Sequence, residues 1–109
     1  MTIEYLTKNK KNIAYSANTG GAFTLVFLGG FMSDMMGSKA THLEDWAKNN
    51  HYGFLRFDYS GHGQSSGVFE SCNISDWVED SYEIITKKTK GPIILIGSSM
   101  GGWISFLIY

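Results

Sequence analysis

The segment Pro92-Ile-Ile-Leu-Ile-Gly97-Ser98-Ser99-Met100-Gly101-Gly102 decides how this chain is read. An apolar run closed by glycine, followed by a second apolar run from Trp103, describes a short buried strand, a sharp turn and the start of a helix. Gly97, Ser99 and Gly101 stand in the order Gly-x-Ser-x-Gly. The physical logic is steric. A serine at the tip of such a turn takes strained backbone angles, and small neighbours let strand and helix approach while its Oγ stays exposed. Ser99 is therefore the candidate nucleophile.

Outward from this elbow, the chain alternates strands with helices. Gly91-Pro92 ends a helix that Ser75 is expected to cap and that runs to about Lys88. Trp77, Ser81, Ile84, Ile85 and Lys88 share one side of it, while Asp76, Glu79 and Asp80 put negative charge in its first turns, where the helix dipole favours it. Residues 52–57 read as a strand leaving into the polar loop Asp58-Tyr59-Ser60-Gly61-His62-Gly63-Gln64-Ser65-Ser66-Gly67. Residues 38–49 carry Ala40, Leu43, Trp46 and Ala47 at helical spacing. Residues 22–28 are continuously apolar or β-branched and bounded by glycines, which predicts a fully buried strand opening into a loop that begins Gly29-Gly30-Phe31. The segments 2–6 and 12–17, joined by a basic turn, predict a half-buried hairpin at the sheet edge. The expected class is α/β: a mostly parallel sheet with an antiparallel hairpin at its start and helices on both faces.

Composition narrows the function classes. The 109 residues are 43% hydrophobic and 15% aromatic, enough for one packed domain. A net charge of -1 without a basic block argues against nucleic acid as a partner. Cys72 is the single cysteine, so neither an intrachain disulfide nor a cysteine metal cluster can form. The first ten residues lack an apolar core, and no apolar run approaches the roughly 18 residues of a membrane span. These features together suggest a cytoplasmic protein.

In a parallel sheet, ligands bind at the carboxyl ends of the strands, and three glycine-bearing loops leave at that edge: at Gly29-Gly30, at Gly61-His62-Gly63 and from Gly97 to Gly102. If Ser99 attacks a carbonyl carbon, the developing oxyanion needs two backbone donors. Met100 N–H at the helix start is one, and Phe31 N–H from the first strand-to-helix loop is the other. His62 is the tempting base, but in this architecture the histidine follows the serine, and His42, His51 and His62 all precede it. Asp58 reads as a turn carboxylate accepting backbone N–H bonds. Ser60, Ser65, Ser66 and Ser98 read as turn or helix-entry hydroxyls. Gly61-x-Gly63-x-x-Ser66 mimics a dinucleotide fingerprint, yet it follows the second parallel strand and no helix is expected directly after it. Met32, Met35, Met36 and Met100 suit either an acyl pocket or the core.

The segments from Phe27 to Met35, Arg56 to Gly67 and Ile96 to Trp103 together resemble the α/β-hydrolase superfamily, and within it bacterial hydrolases related to the mitochondrial acyl-protein thioesterase and acyl-glucuronide esterase. The resemblance implies a serine hydrolase without cofactor that cleaves ester or thioester bonds. Ser99 matches the nucleophile, and Met100 and Phe31 match the oxyanion-hole positions. Gly29 stands where many relatives carry histidine, and Asp58 and His62 match a structural loop motif.

The resemblance also implies an acid and a histidine after the nucleophile helix, and roughly three further strands beyond 93–97. The expectation is thus a partial domain over residues 1–109, truncated just after the elbow and inactive alone. Completed, it would act on a small-molecule or acyl-protein substrate. The alternative is an interaction module or half-protein that pairs, through its exposed sheet edge, with a complementing carboxy-terminal half or with itself.

Overall fold

The computed structural model describes residues 2–109. The chain runs β1 (Glu4–Lys8), β2 (Lys11–Asn18), β3 (Thr24–Leu28), α1 (Ser38–Asn49), β4 (Gly53–Phe57), a 3-10 turn (Phe69–Ser71), α2 (Ile74–Lys88), β5 (Ile93–Gly97) and α3 (Met100–Ile108). One five-stranded sheet has the order β1-β2-β4-β3-β5. β1 and β2 form the expected antiparallel hairpin, with Lys8 opposite Lys11. Asn9 and Lys10 between them both take positive φ, 50° and 66°, as a two-residue turn matched to strand twist demands. β2 then pairs antiparallel with β4, and β4, β3 and β5 are parallel.

Strand alternation sorts the core into two layers. Leu25 and Phe27 of β3 join Phe54, Ala40 and Ala47 under α1. Val26 and Leu28 face the other way, with Leu55, Phe57, Trp77, Ile84, Ile85 and Ile104 under α2 and α3. Helices therefore cover both faces, as expected. From β3 the chain crosses through α1 to β4, and from β4 through α2 back over β3 to β5. The strand order reverses at β3, so the loops after β3 and β5 part around a crevice at their carboxyl ends.

Two details differ from the sequence reading. The hairpin is not an edge pair as a whole: only β1 is marginal, while Ile13, Ala14, Tyr15 and Ser16 of β2 are buried. The loop after β4 folds along β2, with Ser65 Oγ accepting from Ala14 N–H at 2.8 Å and Ser66 Oγ from Asn12 N–H at 2.8 Å. The second difference is the start of α2. Asn73 caps it instead of Ser75, and the Asp76 carboxylate bonds back to Asn73 N–H, a reciprocal capping box. No helix among the described residues is long and apolar enough to cross a membrane.

Candidate active site

β5 delivers the chain to the elbow with its last residue, Gly97, opposite Leu28 at the end of β3. Ser98 N–H donates to Leu28 O at 3.0 Å, which pins the turn to the neighbouring strand. Ser99 follows with φ 56° and ψ −118°, the strained conformation expected of the tip, and its side chain is exposed. The glycines have a steric reason. A Cβ on Gly97 would overlap the Gly101 carbonyl group and Gly102 N, and a Cβ on Gly101 would overlap Leu28 O. Ser98 Oγ is engaged by Lys39 Nζ at 3.2 Å. The Ser99 hydroxyl forms no hydrogen bond among the described residues. Met100 is the first residue of α3, so its N–H has no acceptor within the helix.

The loop after β3 lies directly against Ser99. A Cβ placed on Gly30 would sit 3.6 Å from Ser99 Cβ and 3.5 Å from Ser98 O. Ser33 N–H closes a β-turn onto Gly30 O at 3.2 Å, and Met32 at its third position has φ 60°. That position favours glycine, so a methionine there costs on the order of 1 kcal/mol that other contacts must offset. Phe31 is half exposed, its ring packed edge-on against Phe69 and Trp77 at 5.1 and 5.9 Å. A cavity of about 240 Å³ opens beside the elbow, with Gly29, Gly30, Ser33, Asp34, Lys39 and Ser98 in its lining.

The contacts that hold this loop were not foreseen from the sequence. The buried Arg56 donates from Nη1 to Met35 O at 2.9 Å while its Nη2 pairs with Glu44 at 2.9 Å. The buried Asp58 accepts from Met35 N–H at 2.7 Å and from Gln64 N–H at 2.9 Å. Burial pushes its carboxyl above the usual value, and those two amide bonds oppose the shift. Asp58 does accept backbone N–H bonds as expected, but it bridges two loops and is not a local turn residue. Tyr59 donates to Gly29 O at 2.9 Å, and burial raises its phenol well above the ordinary range.

His62 makes no hydrogen bond to Ser99. Its Nε2 accepts from Met32 N–H at 3.1 Å and its Nδ1 lies 3.1 Å from Ser60 O. The glycines that mimic a dinucleotide fingerprint are spent on packing: Gly63 lies so close to the Asp58 carboxylate that a Cβ would overlap it. The methionines divide, with Met35 buried and Met32 and Met36 exposed.

Comparison with known proteins fits this geometry. The family model described as serine aminopeptidase, S33, matches residues 23–109. The bovine palmitoyl-protein thioesterase ABHD10, mitochondrial, is 39% identical over 106 residues, covering 96% of this chain and 35% of its own length. The mouse alpha/beta hydrolase domain-containing protein 10 structure superposes with a TM-score of 0.95 at 35% identity, covering 98% of this chain and 43% of that one. A hydrolase from Agrobacterium vitis S4 gives 0.84 at 37% identity, covering 99% and 45%. The likeness thus extends to the mammalian thioesterase itself as well as to a bacterial hydrolase. The chain spans about a third of the length of the curated relatives it matches. These relatives overturn one expectation: they are named as mitochondrial proteins, not cytoplasmic ones. One cysteine and a near-neutral charge describe any reducing compartment and carry no address.

Proposed function

The chain belongs to the serine aminopeptidase S33 family of α/β-hydrolases, and on that footing we propose that it carries the nucleophile half of a serine hydrolase acting on ester or thioester bonds. The observation that supports this most is Ser99, exposed at the elbow tip with φ 56° beside the first amide of α3. In the proposed reaction, a base takes the Ser99 hydroxyl proton as Oγ bonds to an acyl carbonyl carbon, the carbonyl electron pair moves to oxygen, and the base later returns the proton to the leaving group. The N–H groups of Met100 and Phe31 receive that oxyanion. Collapse expels the thiol or alcohol, and water then releases the acid from the acyl-enzyme.

Ser99 needs a base, and no His, Asp or Glu follows it in the sequence. We propose that base and acid are supplied by residues other than these 109, so that this chain alone is nearly inactive. The relatives named as palmitoyl-protein thioesterases support an S-acylated protein as substrate. The exposed Phe31, Met32 and Met36 would offer apolar surface to the acyl chain. Hydrolysis of p-nitrophenyl acetate and of an S-acyl thioester by the purified chain tests this. The expected rate equals that of Ser99→Ala. Robust Ser99-dependent turnover would overturn the placement of the base, and a fluorophosphonate label recovered on another serine would overturn the nucleophile.

A second reading, a half-protein that pairs through its sheet edge, is favoured by the apolar surface beside β5. Ile94, Trp103, Phe106 and Leu107 are all exposed. A groove of about 560 Å³ runs there between Tyr82, Ile85, Ile93, Leu95 and Ile108. Light scattering behind size-exclusion chromatography decides whether that edge associates.

A further inference from the structure

We infer that His62 is a positioning residue for the loop after β3: its Nε2 fixes the Met32 amide and thereby aims the adjacent Phe31 N–H at the space over Ser99. The inference rests on the proposed reading of Phe31 N–H as an oxyanion donor. Met32 N–H can donate to Nε2 only if that nitrogen carries a lone pair, and Nδ1, facing Ser60 O at 3.1 Å, then holds the proton. One neutral tautomer satisfies both contacts.

The ring has no room to swing. It is buried, with Tyr59, Phe69 and Trp77 around it at centroid distances of 5.4, 5.2 and 5.1 Å. Trp77 Nε1 donates to the same Ser60 carbonyl at 2.9 Å, so the group that orients His62 is itself held. The same aromatic set also holds Phe31, whose ring packs against Phe69 and Trp77. With Ser33 N–H bonded to Gly30 O and Met32 N–H bonded to His62, the carbonyl of the Gly30–Phe31 peptide and the amide of the peptide after it are both held. The Gly30–Phe31 peptide lies against Ser99, and Phe31 N–H has no acceptor among the described residues.

The test uses the full chain, labelled with 15N. A through-hydrogen-bond coupling between the Met32 amide nitrogen and His62 Nε2 is expected in the wild type, and its absence overturns the inference. His62→Phe keeps a ring among its aromatic neighbours but removes the acceptor, and should speed Met32 amide exchange about tenfold. His62→Gln, whose Oε1 takes the place of Nε2, should restore most of the protection. Unchanged exchange in the Phe variant overturns the inference, and if that variant does not fold, the wild-type coupling and the Gln variant decide.

A second arm measures how fast an alkyl fluorophosphonate modifies Ser99. The Phe variant should react about tenfold more slowly and the Gln variant should recover, whereas equal rates in all three overturn the aiming of Phe31. If the label is recovered on a serine other than Ser99, the hydrolase reading fails, and the coupling still decides whether His62 holds the loop.

Discussion

A Cβ at Gly101 overlaps the carbonyl oxygen of Leu28, whereas one at Gly30 makes only ordinary contacts with Ser98 O and Ser99 Cβ. The two alanine substitutions therefore separate. Gly101→Ala is expected to destabilise the fold by about 3 kcal/mol or more, because backbone must move. Gly30→Ala should stay within about 1 kcal/mol. Urea denaturation midpoints of both variants check this, and equal losses would contradict it. Asp58 adds a pH signature. Its carboxyl is raised above 3.8 in the fold, chiefly by burial, so the folded state holds that proton more tightly than the unfolded one. Stability from this group is thus full below 3.8 and declines as pH rises through the raised folded value. The disadvantage of Asp58→Asn should accordingly be largest at the acid end and shrink as pH rises, measured by denaturation of both proteins across pH. At this scale Ser99 was legible because an elbow's steric needs are local and show as spaced glycines. The grip of Arg56, Asp58, Tyr59 and His62 was not. Each bonds backbone atoms 21 to 30 residues away, on residues with no signature of their own.

The helices show why some elements could be read and others only approximately. Periodic apolar positions gave α1 its bounds, since Ala40 and Ala47 do face the sheet. α2 begins earlier than expected because Asn73 and Ser75 are both good caps, and only the return bond from Asp76 to Asn73 N–H distinguishes them. Asn73→Ala should cost about 1 kcal/mol. Asp76→Ala should be similar, and the double variant less than the sum, because the two bonds share one turn. Chemical denaturation of the full cycle measures this, and strict additivity would show the box to be two independent contacts. β2 was misplaced for a different reason. Its alternation suggests one wet face, but Ala14 and Ser16 are buried and the loop after β4 covers its first half. Asp80 reads in the sequence as a helix-dipole charge, and the structure adds a second role: it is buried, accepting from Ser60 N–H at 2.7 Å with Lys11 at 3.5 Å.

At the scale of the molecule, β5 has a strand partner on one side only among the described residues, and Ile94 is 45% exposed while Phe106 is 83% exposed. Such an edge invites pairing. Concentration-dependent association of the chain is expected, and Ile94→Lys should shift it toward monomer in light scattering. A monodisperse wild-type monomer at all concentrations would remove self-pairing through this edge. The architecture was readable because alternating strand and helix patterns admit few topologies, while the sheet order had to come from pairing that no local pattern encodes. One contact described above reaches further. The elbow meets the strand that launches the other loop through main-chain atoms, Ser98 N–H on Leu28 O and Gly101 against that same carbonyl. The spacing between the elbow and the end of β3 is therefore set by peptide groups, whose dimensions substitution cannot alter. The floor of the crevice is thus a main-chain contact, while its rim is held by the side chains of Arg56, Asp58, Tyr59 and His62.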